Sequence, residues 1–493
     1  MGHRYWTGIC AAVGLLAASL GAQPAVAADL CVGGPKPGCF ATLQAAIGAA
    51  QDGDTIKLAP GTYAGGITIG KSVELIGTSA ASTVIRGGGP VVTVGDGVSK
   101  PTVSISRLTI TGGLNDSSPG RAFAAGGGMR IEPGAAVTIA ESAITENQAA
   151  PEATFDEPAP CGSTPFDECA FATGGGIDNS GALTVTDTRI SGNLAGSAGI
   201  TSFAAGGGIH NHPQGTLTLR RSVVSDNRAS VSAPDGRNTD GGGIVSYGVL
   251  TMDESVVSGN TSEVDASVPS SFFADFVQEA NAGGLYLAPG STNTIKRSQI
   301  RDNRVLSSNT DGDASAEAAG IDCEGSVILT DSNVAHNTAR AVVPPGSGFL
   351  AETDGGGLQV RGSVVARGTR VSQNSLSSAS ETGQALASGG GVFVLSGSAT
   401  LDRTVVTGNS ATAHGVGGFN LGGGIASVSI GGPAPQLMLT DSVVTANRLT
   451  ASEGVFSQGG GLYTADPFGG PPFPVTLTRT VIAGNKPDQC VGC

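Results

Sequence analysis

The run LTVTDTRISGN, ending at Asn193, limits what this chain can become, because its pattern returns until it has occurred ten times. Counted back from the closing asparagine, a Ser or Thr stands five residues earlier and a Val or Ile three residues earlier. The closing residues are Asn147, Asn193, Asn227, Asn260, Asn303, Asn337, Asn374, Asn409, Asn447 and Asn485. The hydroxyl position holds Ser142, Thr188, Ser222, Ser255, Ser298, Ser332, Thr369, Thr404, Ser442 and Thr480. The β-branched position holds Ile144, Ile190, Val224, Val257, Ile300, Val334, Val371, Val406, Val444 and Ile482. Composition alone does not keep three registers through so many copies, so the chain is a stack of repeats, each burying its apolar face against its neighbours.

Each copy is preceded by a glycine cluster and an aliphatic residue, as in Gly174 to Ile177, Gly206 to Ile209, Gly241 to Ile244, Gly355 to Leu358 and Gly459 to Leu462. The copies at Ala282 and Ala318 keep only part of the cluster, as AGGL and AAGI. Within a copy Leu183 and Val185 alternate with polar residues, which is strand periodicity. One copy is therefore expected to hold about three short strands separated by turns. The expected fold is all-β, a single-stranded right-handed parallel β-helix of about twelve coils. Asparagine suits a repeated turn because it tolerates the left-handed conformation and its amide can pair with the next asparagine one strand spacing away, about 4.8 Å. The asparagines are thus read as a structural ladder.

A solenoid accommodates 493 residues more readily than a single compact core does. The 79 glycines follow no three-residue period, which sets collagen aside. A net charge of −14 argues against nucleic acid and anionic membranes as partners. It also disfavours polyanionic ligands unless a divalent cation bridges them.

The first 27 residues read as a secretory signal, with His3 and Arg4, an apolar stretch from Ile9 to Leu20, and cleavage after Ala27 at Ala25-Val26-Ala27. A membrane anchor is the alternative, although the apolar stretch is short for a span. Cys10 and Trp6, the only tryptophan, belong to this segment. Cys31 with Cys39, Cys161 with Cys169, and Cys490 with Cys493 are candidate disulfides, which suits an oxidising compartment. The alternative for CVGC is a redox or metal motif, but no second CxxC completes it. Cys323 is left over and is expected to be a buried thiol.

Ahead of the repeats, Leu43, Ala46, Ile47 and Ala50 share one helical face that Asp52-Gly53 ends. A short helix there covers the open end of the stack, which would otherwise recruit other chains. The domain reading is 1–27 signal, 28–70 cap and first strands, 71–125 irregular coils, 126–485 ten repeats, and 486–493 a disulfide-closed end.

The run TLQAAIGAAQDGDTIKLAPGTY, followed by KSVELIG, resembles the opening of the pectate-lyase-like right-handed parallel β-helix superfamily. The repeats of GGG-aliphatic, strand and closing Asn are similar to those of polymorphic outer-membrane adhesins. The first resemblance implies ligands or substrates that are long saccharides laid along the helix. Its chemical motifs do not carry over. NTD occurs at Asn238 to Asp240 and at Asn309 to Asp311, but the DD, GHG and RIK elements of polygalacturonase-like hydrolysis are absent. The pectate-lyase WiDH string, the alginate-epimerase DPHE string and nonapeptide calcium repeats are also missing. Unlike the adhesins, the chain shows no translocator barrel and no terminal apolar anchor.

Candidate functional residues come from the outward position after each glycine-block aliphatic: Arg130, Asp178, His210, Val245, Tyr286, Asp322, Gln359, Phe393, Ala426 and Tyr463. Asp178 and His210 are expected to be adjacent and exposed, with His212 nearby, as an acid/base pair or as a plain polar pair. Arg130, Tyr286 and Asp322 are candidate ligand contacts. Insertions between each Asn and the next glycine block mark a binding face. One carries Phe272, Phe273 and Phe276, either a satellite cluster or a partner patch. With aromatics at 4%, tight carbohydrate chemistry is disfavoured. The expectation is a secreted, monomeric, non-catalytic β-helix presenting loops for adhesion or for binding an extracellular glycan or cell-surface protein. The alternative is a divergent polysaccharide lyase or hydrolase. No cofactor or metal site is expected, and calcium enters only with an acidic polysaccharide.

Overall fold

The computed structural model describes residues 27–34, 37–116, 122–151, 169–197, 201–232, 238–266, 278–310, 312–346, 348–429 and 432–493. The signal segment, Cys161, Phe272, Phe273 and Phe276 lie outside the described residues, and so does the side chain of Cys169.

The described chain is a parallel β-solenoid of five sheets, with 14, 13, 13, 10 and 10 strands. One coil shows the plan: Ile177–Asn179, Ala182–Thr186, Arg189–Ser191, Leu194–Ser197 and Thr201–Ala205. We name these the glycine-block, long, ladder, outgoing and return strands. Like pairs with like in strict register, as in Leu183 with Leu217 and Ile190 with Val224. The ten-stranded outgoing and return sheets show that ten coils carry all five strands. The expected three strands per coil are present, and the connection from ladder to glycine block adds two more.

The glycine-block, long and ladder sheets enclose the main core, where Ile177, Leu183, Val185 and Ile190 stack above Ile209, Leu217, Leu219 and Val224. Outgoing and return strands form an arm with its own core of small residues, including Ala172, Ala195, Ala204, Ala229 and Ala280. Cys323 is an unpaired thiol in the main core. Cys31–Cys39 and Cys490–Cys493 are bonded. The cap helix spans Leu43–Ala49, N-capped by Thr42, whose hydroxyl accepts from Ala45 N at 3.2 Å. No helix among the described residues is long and apolar enough to cross a membrane.

The asparagine ladder is unbroken. Asn147 Nδ2 donates to Asn193 Oδ1 at 3.0 Å, and the same bond links each later pair as far as Asn447 with Asn485, also at 3.0 Å. The left-handed residue is not the asparagine itself but the one before it, such as Glu146 (φ 56°), Asp226 (φ 58°) and Asp302 (φ 58°). The asparagine instead works through its side chain at a crowded junction. A Cβ on Gly208 would meet Gly243 O at 2.6 Å and Asn227 Nδ2 at 3.0 Å, and one on Gly207 would meet the Arg228 carbonyl at 2.4 Å. The last glycine of the block and the closing asparagine recur together because three backbones meet there and leave no room for a side chain, whereas the second block position admits Ala319 in one coil.

Candidate functional site

Strand alternation points Asp178, His210, Tyr286 and Asp322 away from the main core, as expected. Their exposure is not as expected, because Asp178 is 4%, His210 5%, Tyr286 8% and Asp322 0% exposed. Only Gly174 to Gly176 separate the return strand ending at Thr173 from Ile177, and Gly174 turns the chain at φ 58°. The return sheet therefore stands against the outward face of the glycine-block sheet, and the row lies buried in the seam between them, here called the cleft, where Phe203 packs with Val245 and Tyr286 and Phe419 with Phe393 and Tyr463. Val245, Gln359, Phe393, Ala426 and Tyr463 complete this buried row. Arg130, in an early coil, stays exposed and pairs with Glu132 at 2.9 Å.

Two residues beyond each position of this row the chain again faces outward, placing His212, Tyr247, Glu324 and Arg361 at the cleft mouth. The opposite wall is a row on the return sheet in which Phe123, Phe171, Phe203, Asn238, Glu279, Ser315, Glu352, Leu386, Phe419 and Phe456 stack in register. That wall is apolar at both ends and polar in the middle. Apart from His212, the sequence pattern did not single out the mouth row, because alternation was followed only to the first outward residue.

His212 shows why alternation continues. It precedes Pro213, which biases it towards the extended conformation. The turn His212-Pro213-Gln214-Gly215 is closed by Gly215 N donating to His212 O at 2.8 Å. Asn211 faces inward and donates to Gly215 O at 3.3 Å, and Asn179 donates to Asn211 Oδ1 at 2.8 Å. His212 Nε2 thereby reaches both carboxylate oxygens of Asp178 at 3.1 Å, while His210 Nδ1 lies 3.3 Å from Asp178 Oδ1. Thr173 Oγ1 donates to the same Oδ1 at 3.1 Å. Burial pushes the Asp178 carboxyl up, but the two imidazoles outweigh it and hold the group well below the usual carboxylate range. The Asp178 hydrogen bond raises the His212 pKa, against burial.

Aromatic rings continue from this cluster. His210 and Tyr247 have centroids 5.6 Å apart, and Tyr247 and Tyr286 6.4 Å apart. Burial pushes the Tyr247 hydroxyl up to about 12. Aromatics are few in the sequence, but the cleft gathers Phe203, Tyr247 and Tyr286 around one set of ionisable groups.

Further along lies an acidic group built around Arg361, which is ion-paired to Glu317, to Asp322 at 3.1 Å and to Glu324 at 3.2 Å. Burial pushes Asp322 up to about 8, with Arg361 opposing, and pushes Asp240 up to about 7, with a hydrogen bond from Asn281 opposing. Glu279, Glu352 and Asp354 are raised as well, each chiefly by burial. The cleft therefore holds a carboxyl shifted down at Asp178 and carboxyls shifted up at Asp240 and Asp322, two and four coils away.

No protein-family model and no curated protein sequence matches the chain. Among solved structures, the mannuronan C-5 epimerase A-module of Azotobacter vinelandii aligns over 90% of this chain and 95% of its own, at 15% identity and a TM-score of 0.36. The Agl-KA catalytic domain aligns over 92% and 69%, at 10% identity and a TM-score of 0.31. A pectin methylesterase of Erwinia chrysanthemi aligns over 64% and 80%, at 14% identity and a TM-score of 0.24.

Proposed function

We propose that this is a secreted protein that binds a neutral extracellular glycan in the cleft between the return sheet and the glycine-block sheet. The observation that carries the reading is the row of half-buried side chains at the mouth, His212, Tyr247, Glu324 and Arg361, opposite Phe203 and Glu279. From His212 to Arg361 spans four coil spacings, about 19 Å, long enough for several sugar units to meet both hydrogen-bonding groups and the rings of Tyr247 and Phe203. A neutral ligand is favoured because Asp240, Glu279, Glu317, Asp322, Glu324, Glu352 and Asp354 crowd the middle of the cleft, where Arg361 is ion-paired to Glu317, Asp322 and Glu324. Secretion is supported by the N-terminal pattern and by the Cys31–Cys39 and Cys490–Cys493 bonds.

A second reading, catalysis on the bound glycan, rests on the contrast between Asp178, held ionised, and Asp240 and Asp322, pushed up to about 7 and 8. One experiment separates the two. The protein is passed over immobilised neutral and acidic glycans while unsaturated-sugar absorbance and new reducing ends are followed. Binding alone predicts retention on a neutral glycan, no product, and loss of retention in Tyr247→Ala. Catalysis predicts product that disappears in Asp178→Asn or Asp322→Asn with the fold intact. Retention that survives Tyr247→Ala refutes the cleft as the site.

A further inference from the structure

We propose that Asp178, His210 and His212 bind a divalent transition cation of the zinc class through three protein ligands, leaving one coordination position open to the cleft. The ligand atoms of the three side chains all lie within 4.8 Å of one another. Asp178 Oδ1 is 3.1 Å from His212 Nε2 and 3.3 Å from His210 Nδ1. A tetrahedral zinc with bonds of about 2.0–2.1 Å holds its ligand atoms about 3.3 Å apart. The observed spacing reaches that geometry with a small shift of His212, whose side chain is 31% exposed and has room to move.

A second, independent observation points to a missing ligand. His210 Nδ1 is buried and, although 3.3 Å from Asp178 Oδ1, makes no hydrogen bond. A buried polar atom without a partner is costly. A cation between the three groups would give Nδ1 the partner it lacks and would separate the carboxylate from the imidazoles. Two imidazoles with one carboxylate suit zinc, nickel, copper or iron(II), whereas calcium and magnesium favour all-oxygen sets. The surroundings already orient the ligands: Thr173 Oγ1 holds Asp178 at 3.1 Å, and Asn211 pins the turn that carries His212. Tyr247 lies beside the cluster, its ring centroid 5.6 Å from that of His210. The proposal does not depend on the glycan reading, since it concerns the ion alone.

The test uses the full chain without an affinity tag, dialysed against a chelator. Zn²⁺ is titrated in competition with a chromophoric chelator, and Co²⁺ binding is followed by its visible absorption. The expected result is one ion per chain, a raised melting temperature with Zn²⁺, and intense four-coordinate Co²⁺ bands. His212→Ala and Asp178→Asn should each weaken binding at least about 100-fold. His336→Ala and His414→Ala, at exposed imidazoles elsewhere, should leave it unchanged. Should Asp178→Asn fail to fold, His212→Ala at the half-exposed position decides. Native binding no tighter than that of His212→Ala, or binding lost with His336 or His414, would overturn the proposal and leave the cluster a plain ion pair.

Discussion

Replacing Asn303 with Ala removes one rung from the middle of the ladder, and the structure gives the size of the loss. Asn303 Nδ2 donates to Asn337 Oδ1 at 3.0 Å and to Val257 O at 3.1 Å. Its Oδ1 accepts from Asn260 Nδ2 at 2.9 Å and from Asn260 N at 3.1 Å. Four buried hydrogen bonds disappear together. After the substitution Asn337 Oδ1 still accepts from Asn303 N, and Asn260 Nδ2 still donates to Val224 O. The backbone N–H of Asn260 keeps no such alternative in this geometry. At roughly 0.5–1.5 kcal/mol net per bond the four bonds sum to about 2–6 kcal/mol, of which about 1–3 kcal/mol falls on the Asn260 N–H left unpaired. Urea denaturation with a check on the m-value measures it, with exposed Glu453→Ala as the control, expected within about 0.5 kcal/mol of the parent. Hydrogen exchange should show the Asn260 amide losing protection first. Equal midpoints for the two variants would refute the view that the ladder stabilises the stack.

Other outcomes follow from the cleft. Asp322 and Asp240 have folded pKa values raised to about 8 and 7, so the unfolded chain releases these protons first and stability should fall as pH rises from about 4 to 8; melting temperatures across that range check this, and Asp322→Asn should flatten the slope. The His212 pKa is raised by Asp178, so the stabilisation it contributes is complete below its ordinary value of 6.5 and is lost as pH climbs through the folded value; a proton NMR titration should place His212 above 6.5 and Asp178→Asn should lower it. Arg361→Met leaves Glu317, Asp322 and Glu324 without their cation and should cost about 3–5 kcal/mol at pH 8 and less at pH 5, read from denaturation midpoints. Burial pushes the Cys323 thiol up to about 12, so a thiol reagent should label it only after unfolding.

Much of the architecture was legible because it repeats. Ser142 to Thr480, Asn147 to Asn485 and the glycine blocks fixed the coil, and the helix face of Leu43, Ala46 and Ile47 fixed the cap. The arm was not legible, since segments such as LAGS and TSFAA have weak strand signals and vary in length. They become strands by stacking on the equivalent strands of neighbouring coils and burying small residues such as Ala195 and Ala204. The site shows the same division. Alternation put Asp178, His210, Tyr286 and Asp322 on one outward row, but could not tell that the return sheet covers it. The left-handed turn was assigned to the asparagines, whereas Glu146, Asp226 and Asp302 take it, because the asparagine side chain is held by the ladder.

The most direct test of the cleft as a ligand site is the equilibrium affinity for an oligosaccharide cut from whichever neutral glycan retains the protein, measured by anisotropy of a labelled ligand. Tyr247→Ala should weaken binding at least about tenfold, ~1.4 kcal/mol, while Val98→Ala, 85% exposed on a turn, should not change it. Equal affinity for the native protein and Tyr247→Ala would contradict the account.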